Sequence, residues 1–256
     1  AAQLHIAYLV IGASARDMVL HHGYGAAIQR ATTDIDFALQ VHSWAAFAAL
    51  KQKLTENKFC ATDTQHRLIA GNQWPVDIVP FGGIADENAN IQWPPSGDSV
   101  MNILGFAEAL ESATIVRLSD NPVLDIPVTS PVGMIILKLI AWLDRGSEFR
   151  NKDAKDIAYL LNSYEAIPAI ADYLYAEQSI MEHYEWDLTL AAAHQLGSDA
   201  RNIASPKTHR VITEFLTHQN VKLSLARLLN DMGVKSDSQY ERNETIMKAF
   251  RMGFLS

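Results

Sequence analysis

The hydrophobic pattern of the chain changes character at Ser130. Before it, short apolar runs rich in β-branched and aromatic residues alternate with Gly, Pro, Asn and Asp. After it, apolar residues recur at helical spacing over long stretches. Strands are expected over residues 6–11, 33–39, 65–69, 76–81, 113–118 and 123–128. Gly71-Asn72 marks a hairpin between the third and fourth of these. Asp120-Asn121-Pro122 splits the last pair, and Pro127 places the final strand at an edge or near its own end. Helices are expected over residues 15–22, 41–59 (Trp44, Phe47, Leu50 and Leu54 at spacings of three and four) and 106–110, with 82–100 as loop.

Ser130-Pro131 then opens a helical region, a cap followed by proline at the first helical position. Residues 132–144 follow. A charged stretch over 148–156 leads into 157–161, and further helices are expected at 166–178, 188–203, 208–217, 221–232 and 243–254. The expected class is α+β. A mixed β-sheet with flanking helices forms domain 1–130, and an all-helical C-terminal domain, 131–256, completes a cleft.

Composition narrows the function classes. The 256 residues, 48% hydrophobic and 20% charged, suit a globular protein with one or two domains. A net charge of -8 argues against coating nucleic acid by counterion release, although it leaves room for one local basic patch. A single cysteine, Cys60, excludes an intramolecular disulfide and a Cys-rich zinc site, and fits a reducing, cytoplasmic compartment. No apolar run reaches the length of a membrane span, and no signal peptide precedes the first strand. The chain starts at Ala1-Ala2 without Met, so a short N-terminal piece is expected to precede it.

Chemistry concentrates in three places. The first strand ends at Gly12-Ala13-Ser14, and Ser14 is placed to cap the helix that follows. Such a turn either binds phosphate on free backbone N–H groups or is an ordinary strand–helix corner. Thr33-Asp34-Ile35-Asp36 puts two carboxylates on one face of a strand. They are solvated acids, or they hold a divalent cation that relieves their repulsion. Asp77 is a third acid, inside the apolar run 76–81, and such an acid needs a partner or a metal. Lys138 is the only charge in residues 132–143; it snorkels, or it reaches a phosphate as a point charge. Arg145 is equally a helix-end charge or a ligand, and Asp153 and Asp156 fit a helix start. Arg16 and Asp17 read as a surface pair, and Trp93 as a packing residue.

Gly12-Ala13-Ser14, Thr33-Asp34-Ile35-Asp36-Phe37 and Val76-Asp77-Ile78-Val79 together resemble the nucleotidyltransferase superfamily of DNA polymerase β type. The long gap between turn and Asp-x-Asp resembles its AbiEii toxin-like branch. So do Lys138-Leu139-Ile140-Ala141, Arg145-Gly146, Lys152-Asp153-Ala154-Lys155-Asp156-Ile157 and Leu196-Gly197-Ser198-Asp199. The resemblance spans roughly residues 6 to 205. It implies a nucleotidyltransferase fold and Mg²⁺-dependent transfer of an NMP from an NTP to a hydroxyl of tRNA, protein or a small molecule.

On that resemblance Asp34, Asp36 and Asp77 are the catalytic residues and the ligands of two Mg²⁺ ions. Gly12, Ala13, Ser14, Thr33 and Lys138 bind the nucleotide, and Arg145, Lys152 and Asp153 support them. The resemblance further implies a toxin of a toxin–antitoxin or abortive-infection system, with a cognate antitoxin as partner. The chain departs from the pattern twice. Gly12-Ala13 stands where relatives have Gly-Ser or Gly-Gly. Lys152 stands where they have Arg, which keeps the charge but loses the planar fork.

Two other readings use the same residues. An antibiotic nucleotidyltransferase of the aminoglycoside type shares the acids, and its cationic substrate would suit the negative charge. A non-catalytic nucleotide-binding or interaction protein would bind an NTP without releasing pyrophosphate.

Overall fold

A computed structural model describes residues 1–28, 32–219, 223–233 and 235–256. The chain divides into two units: Ala1–Val19 with Ile28–Ser130, and Leu20–Ala27 with Pro131–Ser256.

The first unit is built on a mixed sheet. Its strands are β1 (Ala7–Ile11), β2 (Ile35–Val41), β3 (Cys60–Ala61), β4 (Arg67–Ile69), β5 (Pro75–Gly82), β8 (Thr114–Asp120) and β9 (Val123–Val128), with β6 (Asn90–Gln92) and β7 (Val100–Asn102) forming a separate small ribbon. The order across the main sheet is β3-β4-β5-β2-β1-β9-β8 among the described residues. β2 runs antiparallel to β1 and parallel to β5; β4 and β5 are an antiparallel hairpin.

Alternation explains the faces only at the rims. β5 is buried from Val76 to Phe81, because it lies between β4 and β2 with material on both faces. The helices of this unit are α1 (Gly12–Arg16), α2 (Trp44–Glu56) and α3 (Phe106–Glu111); a π-helical stretch, Asp17–Gly23, continues α1, and from Leu20 it is counted with the second unit. Ser43 caps α2 by accepting from the Ala46 N–H. Phe47 and Leu50 are the buried face of α2, and Phe47 packs with Trp44 and Trp93.

Several expectations need correction here. The helix expected to reach residue 59 stops at Glu56, and Cys60–Ala61 forms the short edge strand β3. The stretch expected as loop, 82–100, contains β6 and the start of β7. These strands are three residues long and owe their existence to each other, so no local periodicity announces them. Pro127 does not mark an edge: β9 lies between β1 and β8, and β8 is the edge. The strand does end one residue later, at Val128.

The second unit is helical: α4 (Pro131–Asp144), α5 (Ser147–Ser163), α6 (Pro168–Glu177), α7 (Ser179–His183), α8 (Leu188–Ile203), α9 (Pro206–Leu216), α10 (Leu225–Asp231) and α11 (Asp237–Leu255). The charged stretch 148–156 and the apolar 157–161 are one helix, α5. The helix expected from Val221 begins at Leu225; Val221 itself lies outside the described residues. Side-chain oxygens of Asp187, Ser205, Ser224 and Ser236 cap α8, α9, α10 and α11.

The core of this unit includes Trp142, Phe215, Phe250 and Phe254, all fully buried. The Trp142 indole N–H donates to Asp231 at 3.1 Å, which satisfies the one polar atom of that ring. Among the described residues, no helix is long and apolar enough to cross a membrane.

Candidate active site

Strand register assembles the first group of charges. β1 sets Ile11 opposite Asp36, β2 sets Asp36 beside Asp77, and β4 sets Arg67 beside Asp77. Arg67, Asp77, Asp36 and Ile11 therefore lie in one row across four strands, and in-register neighbours share a face. Asp34 sits just before β2, two residues from Asp36.

Gly12 follows directly on that row, at φ +71°. A Cβ on it would stand 2.0 Å from Asp36 Oδ2 and 2.9 Å from Asp36 Cγ. The glycine thus makes room for a carboxylate of its own chain, in a backbone conformation that side chains resist.

Ser14 does not cap the helix. α1 begins at Gly12 with Ile11 in the cap position, and the buried Ser14 hydroxyl donates instead to the Asp34 carbonyl at 3.0 Å. That bond ties the turn to the Asp-x-Asp segment, 20 residues on. Ala13 is half-buried and Thr33 exposed. The expected surface pair Arg16–Asp17 is mostly buried: Arg16 is 2% exposed, donates from Nε and Nη2 to Asp17, and the Thr32 hydroxyl donates to the second Asp17 oxygen.

Arg67 is the residue that sequence reasoning missed. Its Nε donates to Asp77 Oδ1 at 2.7 Å and its Nη2 to Asp77 Oδ2 at 2.6 Å, a bidentate pair. Nη2 also reaches Asp34 Oδ2 at 3.3 Å. The hydrogen bond to Asp77 raises the already high Arg67 pKa; burial works against it, and the charges of Asp77, Asp34 and Asp36 add to it. A signal existed: a hairpin turning at Gly71-Asn72 that pairs Ile69 with Pro75 also pairs Arg67 with Asp77. A charge in the run 65–69 facing the lone acid of the next run is a cross-strand pair.

In the second unit, Lys138 on α4 faces α5. Its ammonium lies 3.0 Å from Asp153 Oδ1 and 2.7 Å from Asp156 Oδ2. Arg145 Nη1 donates to both Asp153 oxygens, at 3.2 and 2.9 Å. Asp153 is fully buried, whereas the Lys138 side chain keeps 20% exposure. Burial pulls the Lys138 pKa down, but Asp156 and Asp153 outweigh it and hold the ammonium charged above its ordinary range. Lys138 therefore does not simply snorkel, and Arg145 is more than a helix-end charge. Asp153 and Asp156 do not begin a helix either; α5 starts at Ser147, and both acids are buried well inside it. Lys152 is exposed.

The Leu196-Gly197-Ser198-Asp199 element lies on α8. Gly197 meets the backbone of α11, where a Cβ would stand 2.1 Å from the Phe250 carbonyl oxygen. Asp199 accepts from the Tyr164 hydroxyl at 2.6 Å and from Gln195 Nε2 at 2.9 Å. Burial first, and then the Asp199 charge, push the Tyr164 phenol well above its ordinary pKa, so it acts as a donor. Both residues hold the helical unit together.

A family model described as nucleotidyl transferase AbiEii toxin, type IV TA system, matches residues 10–227. The chain belongs to this AbiEii family. The match takes in the row of strand charges, the Lys138 cluster and the Leu-Gly-x-Asp element alike. No curated protein matches the chain.

AbiEii membership makes a divalent metal the cofactor to test against the residues present. The donor chemistry fits: three carboxylates supply the oxygen ligands that a hard cation prefers. Their present orientation is a different matter. Among the described residues no group of three His, Cys, Asp or Glu is gathered closely enough to hold a metal ion. The cation that Asp77 and Asp34 do meet is the Arg67 guanidinium.

Proposed function

We propose that the chain moves an NMP from an NTP to a hydroxyl acceptor, with Asp34, Asp36 and Asp77 as the carboxylates that hold Mg²⁺. The observation that carries this reading is the pair of in-register carboxylates near the starts of β2 and β5, beside the last residue of β1 and the Gly12 turn, in a chain of a nucleotidyltransferase family. Two bound Mg²⁺ ions would neutralise the triphosphate and lower the pKa of the attacking hydroxyl.

This chain's own residues do the rest. Gly12 lets the Asp36 carboxylate lie against the turn, and the Ser14 bond to the Asp34 carbonyl fixes the spacing between turn and acids. Gly12, Ala13, Ser14 and Thr33 are assigned to the nucleotide; the Gly12 turn lies against the Asp36 carboxylate. Asp77, most buried of the three and paired in register with Asp36, is assigned the proton of the acceptor hydroxyl. Lys138, kept cationic by Asp153 and Asp156, is assigned to a nucleotide phosphate, with Arg145 and Asp153 holding its geometry and Lys152 as an outer charge.

The acceptor is tRNA, a protein or a small molecule, and the family description supports a toxin role with a cognate antitoxin. Incubation of each labelled NTP and Mg²⁺ with cell lysate should label one of these acceptor classes. Asp34→Ala should lower Mg²⁺-dependent NTP consumption at least about 100-fold. Asp34 makes only the longer of the Arg67 contacts, so the variant should keep its circular dichroism spectrum. Undiminished turnover in a folded Asp34→Ala protein would refute the assignment.

A further inference from the structure

We propose that Arg67 is a resident counter-cation of the acidic site, one that competes with a divalent metal ion for Asp34 and Asp77. The inference rests on the metal assignment made above and adds to it a residue that sets metal affinity.

Three observations point the same way. The guanidinium uses two donors on Asp77 and one of them again on Asp34, so it bridges the neighbour of Asp36 across the sheet and its near neighbour in sequence. Strand register sets Asp36 in the same row, beside Asp77 on the side away from Arg67, so all three acids lie around this one cation. Finally, the carboxylates are not gathered into a metal cage, as expected when two of them are turned toward a fork-shaped donor.

Arginine cannot discharge itself by losing a proton. A metal ion at the Asp77 oxygens meets a guanidinium that already occupies one lone pair on each and carries the same sign of charge, so the two cations compete. The Arg67 side chain is 38% exposed while that of Asp77 is 11% exposed, so the arginine has solvent to move into and the acid does not. The exchange swaps one cation for another and keeps three like charges from facing each other in the metal-free protein. A structural clamp would behave in the opposite way: its loss would loosen the acids and weaken metal binding.

The test is Mn²⁺ binding, read from the electron paramagnetic resonance signal of the free ion, on wild type, Arg67→Gln and Arg67→Lys. Arg67→Gln keeps a hydrogen-bond donor and removes the competing charge. It should bind Mn²⁺ at least about tenfold more tightly than wild type, with a larger Mn²⁺-induced rise in Tm and a lower metal-free Tm. Arg67→Lys loses the fork and keeps the charge, so its affinity should fall between the two. It carries the comparison if the Gln variant does not fold.

Equal or weaker Mn²⁺ binding by the variants, beside a wild type that binds, overturns the role of Arg67 and leaves the metal assignment standing. Absence of binding in all three proteins overturns the metal assignment, and this inference with it. Binding by Arg67→Gln but not by wild type is the competition in its strongest form.

Discussion

Gly12 shows how one residue can matter through what it lacks. At φ +71°, with an Asp36 oxygen 2.0 Å from where a Cβ would stand, alanine meets both a backbone penalty and a collision. The cheapest relief is rotation of the Asp36 carboxylate away from the turn, which displaces one acid of the row. Gly12→Ala should therefore cost about 1–3 kcal/mol in urea unfolding. It should lower NTP turnover more than that loss of stability accounts for when assayed on folded protein at low temperature. Turnover that follows the folded fraction would return Gly12 to a purely structural role. The buried Asp153 works by the opposite principle. It is fully covered, yet two cations meet it, and because Lys138 is shared with Asp156, removing either cation would leave one for two buried acids.

At the scale of elements, the helical unit depends on the close approach of α8 and α11. Gly197 on one helix and Gly253 on the other both face backbone: a Cβ on Gly253 would stand 1.9 Å from the His194 carbonyl oxygen. Backbone cannot step aside as a flexible side chain can, so the helices would have to separate. Gly253→Ala should lower stability by about 2–4 kcal/mol and Tm by several degrees, measured by calorimetry. An unchanged Tm would mean that the helices slide past each other without loss. Both helices were legible in the sequence, because periodicity is a property of one segment at a time. Their glycine contact was not, because Gly197 and Gly253 come together only through packing. The Leu196-Gly197-Ser198-Asp199 resemblance marked the first glycine without giving its reason, which is the Phe250 backbone.

Acid stability belongs to the whole molecule. His194 is half-buried on α8, with Nδ1 3.0 Å from the Tyr184 hydroxyl. Burial first, and then the charge of His183, hold its pKa below the ordinary histidine value. The unfolded chain then takes up a proton at about pH 6.5, where the folded chain does not. The contribution is fully present above about pH 6.5 and is lost as the pH falls through the depressed folded value. Urea unfolding of wild type should weaken more steeply below about pH 6.5 than that of His194→Gln, which cannot titrate there. Parallel pH profiles for the two proteins would remove His194 from the account.

The sequence by itself determined the class of the fold, the strands that bear Asp36 and Asp77, and the helix that bears Lys138; Asp34, expected inside its strand, lies just before it. What it determined follows from spacing within a short segment: alternation for strands, three-and-four recurrence for helices, proline and glycine for the breaks. Tertiary structure decided what those charges meet. The short strands β3, β6 and β7, the buried state of Arg16, the partners of Lys138 and above all the Arg67 fork on Asp77 depend on register and packing between separate segments. A charge costs too much to bury alone, and the residue that relieves it is chosen by what the fold brings alongside. For Asp77 that neighbour is Arg67, ten residues back along the chain and directly opposite across the hairpin.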